Sequence, residues 1–295
     1  MSKNVIIVGM PRSGTSVTAR AFTAKGYFIG EMHQTFVREG DDRNPFGYFE
    51  ADDLVAENVR VLNAAGFPFH NTWLFSPISQ ESIARIADLP ILAAHHAFLR
   101  AYDEKAPWVW KDPRLCFTLA YWWRLMDPAR SVVVLVRRDP IEIYWSFQRM
   151  GWCKWGRAER DFVFERVRQH TEAATTAVYS LGIPHAVVNY REFLTTPELV
   201  ARRLSKICEI QIGIEDLNVR PDLNHSSHLG KVSTHLRRTL KKLPQRPVRK
   251  LEVMVPRRAL QLLFPERKYV DSKPDDRGDG RRPIDEVPDP QGPAE

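Results

Sequence analysis

Four consecutive β-branched residues, Val5-Ile6-Ile7-Val8, run without a break into the turn Gly9-Met10-Pro11-Arg12-Ser13-Gly14-Thr15-Ser16. No other feature of the chain restricts its fold as much. A run that is apolar at every position, rather than at alternate ones, marks a strand covered on both faces, which is the habit of parallel sheets. Asn4 to Gly9 is therefore expected to be a buried parallel strand that ends in a turn. From Thr15 to Lys25 the pattern changes to Val17, Ala21 and Phe22, the spacing of a helix packed on a sheet, and Gly26 closes it. In a glycine-framed turn between strand and helix, backbone N–H groups converge with the positive end of the helix dipole behind them. Such a junction receives an anion. An ordinary strand-turn-helix with an incidental Arg12 is the competing reading.

The alternation of strand and helix continues. Trp108-Val109-Trp110, Ser131 to Val136 and His185 to Asn189 are further strand candidates. Ala51 to Leu62 shows helical spacing at Leu54, Val55, Val59 and Leu62, Arg43 to Tyr48 has the composition of a loop, and Arg157 to Leu181 and Pro197 to Glu209 are helices. Strands separated by helices predict an α/β fold, a doubly wound, P-loop-like parallel β-sheet flanked by helices, with ligands at the carboxyl ends of the strands. At 295 residues and 43% hydrophobic content, one full core can be buried. We place that α/β domain at residues 1–230, a basic helical extension at 231–270, and a disordered tail at 271–295, where Asp, Arg, Gly and Pro replace apolar residues.

Charge sharpens this division. The formal total is +7, yet residues 231–268 alone carry +10 and residues 269–295 carry −4, so the first 230 residues hold about +1. Anion specificity in the body must come from placed side chains rather than a bulk field. The basic segment repeats Leu236, Leu240 and Leu243, then Leu260, Leu262, Leu263 and Phe264, at helical spacing. It is either a solvated amphipathic face or a peripheral contact to anionic membrane.

The spacing of Gly9 and Gly14 followed by Thr15-Ser16 has the frame of a nucleotide-binding P-loop, GxxxxGK[ST]. Thr15 stands where a nucleoside triphosphatase needs Lys, and the cation sits earlier, at Arg12. That argues against ATP hydrolysis and for a donor with a shorter anionic tail. A second candidate follows the strand at Ser131. Val136-Arg137-Arg138-Asp139-Pro140 leads into a helix in which Ser146 lies two turns along, so Arg138 and Ser146 can jointly hold another phosphate. The same residues can also do no more than cap a helix, with Asp139 at its start.

Together the two turns, Gly-x-Pro-Arg-Ser-Gly-Thr-Ser and an Arg-Asp-Pro whose Arg precedes a Ser by eight positions, resemble the donor-binding motifs of the sulfotransferases. Asn44-Pro45-Phe46-Gly47-Tyr48-Phe49-Glu50, Trp110-Lys111-Asp112-Pro113-Arg114 and Val188-Asn189-Tyr190-Arg191-Glu192-Phe193-Leu194 resemble further segments of bacterial members, so the similarity covers residues 4 to 210 in pieces. The resemblance implies 3′-phosphoadenosine 5′-phosphosulfate (PAPS) as co-substrate. Arg12, Ser13, Gly14, Thr15 and Ser16 would hold its 5′-phosphosulfate end, Arg138 and Ser146 its 3′-phosphate, and Tyr190 would lie beside the adenine, although a Tyr ending a strand also serves as core. One departure stands out: no Arg-Lys-Gly occurs near the C-terminus, and Lys231 after Gly230, or the basic run beyond it, is what the sequence offers instead.

Sulfuryl transfer of this kind needs a base for the acceptor hydroxyl or amine. The candidates are Glu50, which closes the Gly-Tyr-Phe-Glu segment, Glu31 and His33 after the first helix, and His95-His96, which sit in an apolar helical run and suit packing better. Lys111, at a strand end, can reach the donor sulfonate or bridging oxygen, and Asp112 with Arg114 can form a local ion pair. Phe67, Phe69, Trp73, Phe75, Trp145, Trp152 and Trp155 can line a pocket for a small-molecule, carbohydrate or lipid acceptor, though core packing suits most of them. No metal is required, and the carboxylates show no ligand spacing. A kinase-like P-loop enzyme would need a loop Lys and an acidic metal ligand ending an apolar strand, whereas Val132 to Val136 ends in arginines. A non-enzymatic anion-binding module would leave one of the two Arg-bearing turns unexplained, and no nucleic-acid partner beyond the nucleotide is expected. Cys116, Cys153 and Cys208 lie too far apart in sequence for a metal motif and cannot all pair, which points to a reducing, cytoplasmic setting. The apolar run at Val5 is too short for a secretory leader or a membrane span.

Overall fold

The computed structural model describes residues 2–30, 47–67 and 78–217. Its centre is one parallel sheet of four strands in the order β2-β1-β3-β4, with β1 at Asn4–Val8, β2 at Val109–Lys111, β3 at Ser131–Arg137 and β4 at His185–Asn189. Val5 pairs with Val109 on one side and Val132 on the other, and Val133 pairs with His185.

The two-residue period of a strand divides this sheet into two cores. Ile6, Val8, Trp108, Trp110, Val133 and Leu135 face one way. They meet helices α2 (Asp52–Ala64), α3 (Gln80–Asp88), α4 (Ala93–Asp103), α5 (Leu115–Trp123) and the second half of α7 (Arg157–Ser180). Val5, Ile7, Val109, Val132, Val134, Val136 and Val188 face the other way, onto α1 (Thr15–Thr23) and α9 (Pro197–Cys208). This explains why β1 carries no polar face: every residue of it is buried.

Two short helices, α8 (Tyr190–Thr195) and α10 (Ile214–Leu217), and the longer α6 (Pro140–Met150) complete the described elements. Local chemistry sets their ends. Asp139 accepts from the Ile141 N–H at 2.9 Å, Pro140 opens α6, and Gly151, at φ 75°, closes it. Glu192 accepts from the Asn189 N–H at 2.8 Å, a capping box that fixes where β4 becomes α8.

The expected α/β architecture holds, with element ends within the usual fraying and two informative differences. The second strand begins one residue later than its sequence suggests, because Trp108 instead bridges Phe28. Helix α5 was not foreseen: Leu115, Cys116, Phe117, Leu119, Tyr121, Trp122 and Trp123 are all buried, so it has no polar face to give it a period. The basic extension, the tail and residues 43–46 of the predicted loop lie outside the described residues. No described helix is long and apolar enough to cross a membrane.

Candidate functional site

The turn after β1 and the turn after β3 leave adjacent parallel strands at the same edge of the sheet. The first enters α1 on one face. The second enters α6, which packs with α7, and α7 reaches the opposite core. Adjacent strands whose exits part in this way open a crevice at their carboxyl ends.

In the first turn Arg12 (φ 69°) and Gly14 (φ 107°) are left-handed. Gly14 is required twice over, since a Cβ there would also lie 2.7 Å from the Tyr190 ring. A Cβ on Gly9 would sit 2.5 Å from the Val136 carbonyl oxygen. The loop is therefore pressed against the end of β3 and the start of α8, and only glycines allow it. The first turn of α1 has no acidic residue and no side-chain cap, which leaves its N–H groups available to an anion. Ser13 Oγ is buried and has no hydrogen-bond partner among the described residues. A buried orphan hydroxyl costs about 1–3 kcal/mol, a cost that a bound anion would remove. Thr15 is buried, and Ser16 Oγ donates to the Tyr48 carbonyl at 3.3 Å, tying the loop to the segment that ends in Glu50.

The second turn is joined to the first. Arg138 donates through one terminal nitrogen to the Arg12 carbonyl at 2.9 Å and through Nε to Glu142 at 2.9 Å. Its guanidinium lies 3.9 Å above the centre of the Tyr190 ring. Ser146 is buried on α6 and accepts from Arg12 Nε at 3.0 Å. The sequence reading put Arg12 at one anion and Ser146 at another, whereas here the Arg12 side chain spans the two turns. Arg149, which the sequence reading overlooked, is three residues beyond Ser146 on the same helix. Burial, and then the charges of Arg138 and Arg12, push its guanidinium down to about 10.

The third group lies at the end of β2. Lys111 is buried opposite Ile7 and pairs with Glu50, which is three-quarters buried just before α2. A network of buried polar groups holds the chain beyond it. Asp112 accepts from Arg114 at 2.9 Å, the expected ion pair, and from the Asn58 amide at 2.9 Å; the Asn58 oxygen accepts from Thr118 at 2.6 Å and Trp122 at 2.9 Å. Each of these side chains is tied to at least one other in the network.

Other candidates fall elsewhere. Glu31, His33, Phe69, Trp73 and Phe75 lie outside the described residues. His95 is buried between Glu57 and Tyr121, as packing predicts, and His96 is exposed. Phe67 belongs to the core, Trp145 and Trp152 pack on the small cluster around Met10, and Trp155 is exposed. No group of His, Cys, Asp or Glu with metal-site geometry occurs among the described residues.

A four-stranded parallel sheet flanked by helices, with turns on adjacent strands joined by arginines, defines an α/β fold. The chain belongs to the Sulfotransferase family, whose profile matches residues 4–214, and it is a transferase. No curated protein matches it. Among solved structures, a sulfotransferase domain from the curacin biosynthetic pathway is 15% identical, over 78% of this chain and 82% of its own, with a TM-score of 0.44. A sulfotransferase domain of the Synechococcus PCC 7002 olefin synthase is 16% identical, over 82% and 95%, with a TM-score of 0.41. A sulfotransferase from Mycobacterium avium is 14% identical, over 90% and 76%, with a TM-score of 0.40.

Proposed function

We propose that the chain transfers a sulfuryl group from PAPS to a hydroxyl or amine of a small-molecule, carbohydrate or lipid acceptor. The observation that carries this reading is the joined pair of turns: Arg12, Ser146 and Arg138 are linked through hydrogen bonds where two strands end. A donor with one phosphate would engage one turn. A nucleotide with phosphates at both its 3′ and 5′ positions can engage both.

The residues fit such a donor. The loop N–H groups, Ser13 Oγ, Thr15 and Ser16 form the cradle for the 5′ end, and Ser13 supplies a hydroxyl that lacks a partner. Arg138 and Ser146 face the 3′-phosphate, and Tyr190, already covered by Arg138 on one face, offers a ring edge or face to the base. In the reaction the acceptor oxygen or nitrogen forms a bond to sulfur, the bond from sulfur to the phosphate oxygen breaks, and the acceptor proton passes to a base. Glu50 is our choice for that base. Its pairing with Lys111 sets a proton acceptor and a cation side by side at the end of β2, and in this reading Lys111 neutralises charge on the departing phosphate oxygen. Catalysis is then positioning and charge stabilisation, as in phosphoryl transfer.

Calorimetry tests the donor. 3′-Phosphoadenosine 5′-phosphate should bind at least about tenfold more tightly than adenosine 5′-phosphate, the scale of one charge-assisted contact. Equal affinities would remove the second anion site, and a preference for ATP would favour phosphoryl chemistry. Radiolabelled sulfuryl donor offered to an acceptor library then identifies the other substrate.

A further inference from the structure

Helix α6 carries a row of polar side chains at Glu142, Ser146 and Arg149, four and three residues apart, the spacing of one helix face. Glu142 is occupied by Arg138, and Ser146 by Arg12. Arg149 has neither an ion pair nor a hydrogen bond among the described residues, yet it is partly buried. A guanidinium in that position would ordinarily meet a carboxylate or swing its head into solvent. No carboxylate meets it among the described residues: the charges that act on it are chiefly those of Arg138 and Arg12, and Glu142, seven positions back on the same helix, offsets them in part. Three arginines and one glutamate leave a local charge of +2 beside Ser146. Like charges gathered around a buried hydroxyl are unfavourable unless an anion joins them, and a phosphate monoester carries about −1.5 to −2 at neutral pH.

We propose that Arg149 is a third cationic ligand of the donor's 3′-phosphate and sets the enzyme's preference for nucleotides that carry one. This rests on the donor reading above and adds a residue to it. Arg138 is held by Glu142 and the Arg12 carbonyl, so part of its hydrogen-bonding capacity is spent within the protein; Arg149 brings a guanidinium whose donors are uncommitted. The 3′-phosphate is dianionic, which matches the local charge, whereas a 3′-hydroxyl would leave Arg149 facing the other two cations without compensation.

The test compares wild type and Arg149→Ala by calorimetry against 3′-phosphoadenosine 5′-phosphate and adenosine 5′-phosphate. Arg149→Ala should weaken the bisphosphate at least about tenfold and change the monophosphate less than about twofold, so the ratio of the two constants collapses toward one. Arg149→Lys, which keeps the charge and loses the planar fork, should fall between, and it is read in place of the alanine variant if that variant melts early. Loss of both ligands to the same degree, or of neither, overturns the assignment. Wild-type protein that binds the two nucleotides equally is a separate outcome, one that sinks the donor reading itself.

Discussion

Glu50 and Lys111 meet although sixty-one positions separate them, and the pair gives the most direct test of chemistry. Glu50→Gln keeps the side-chain shape and removes the proton acceptor. It should lower turnover by roughly 10²–10⁴ while leaving donor affinity within a few-fold. Glu31→Gln is the matched comparison. If Glu31→Gln is crippled and Glu50→Gln turns over normally, the base is Glu31; if both are fully active, neither carboxylate serves. Single residues were legible in the sequence where a rare backbone or a fixed spacing announces them. Gly9, Gly14 and the Arg138–Ser146 interval were of that kind. Arg149 was not, because an Arg in the last turn of a helix is commonplace and its significance comes from Arg12, far away in sequence, reaching across to the same helix. Nor could sequence pair Glu50 with Lys111, since nothing local joins a loop before one helix to the end of a later strand.

At the scale of elements, the loop, β3 and α8 form one packed unit around Gly14. Gly14→Ala would place a Cβ against Tyr190 and impose a φ that L-residues avoid. We expect the substitution to destabilise the fold by about 1–3 kcal/mol and to weaken nucleotide binding more than Gly26→Ala, where φ is 81° but a Cβ would meet nothing within 4 Å. Equal effects of the two substitutions, measured by denaturant unfolding and calorimetry, would show that backbone strain alone matters and that the Tyr190 contact does not. Strands β1 and β3 were plain from their unbroken β-branched runs, and α7 from its length. Helix α5 was hidden because burial on every side erases periodicity, whereas β2 was recognised as a strand and placed only one residue early. The side to which each helix goes was out of reach for sequence, as it depends on strand pairing.

For the molecule as a whole, acid should be destabilising over a definite interval. His170 in α7 is buried against Phe117; its Nδ1 donates to the Arg166 carbonyl at 2.8 Å and its Nε2 has no partner among the described residues. Burial pushes this imidazole down to about 3 despite that hydrogen bond, with the Arg166 charge adding a smaller push in the same direction. A histidine whose folded value is depressed contributes stability that is complete above the unfolded value near 6.5 and is lost as pH falls from there toward 3. The folding constant should drop by up to roughly tenfold per pH unit in that window. Glu192 and Asp216 are also depressed, but they add to the loss only below their ordinary values of 4.5 and 3.8. Denaturant titrations between pH 5 and 6.5 lie above the range of those carboxylates, and His170→Gln should flatten the slope there; an unchanged slope assigns it to another group.

The central position of β1 also governs how the chain is made. Its neighbours on the sheet come late: Asn4 receives its bond from Trp108 across 104 residues, and Arg12 its bond from Arg138 across 126. At a synthesis rate of about 5–20 residues per second, the ribosome takes roughly 5–21 s to supply the first of those partners. Throughout that interval Val5 to Val8, the most apolar strand of the sheet and the one that carries the anion loop, has been translated with no strand to pair with.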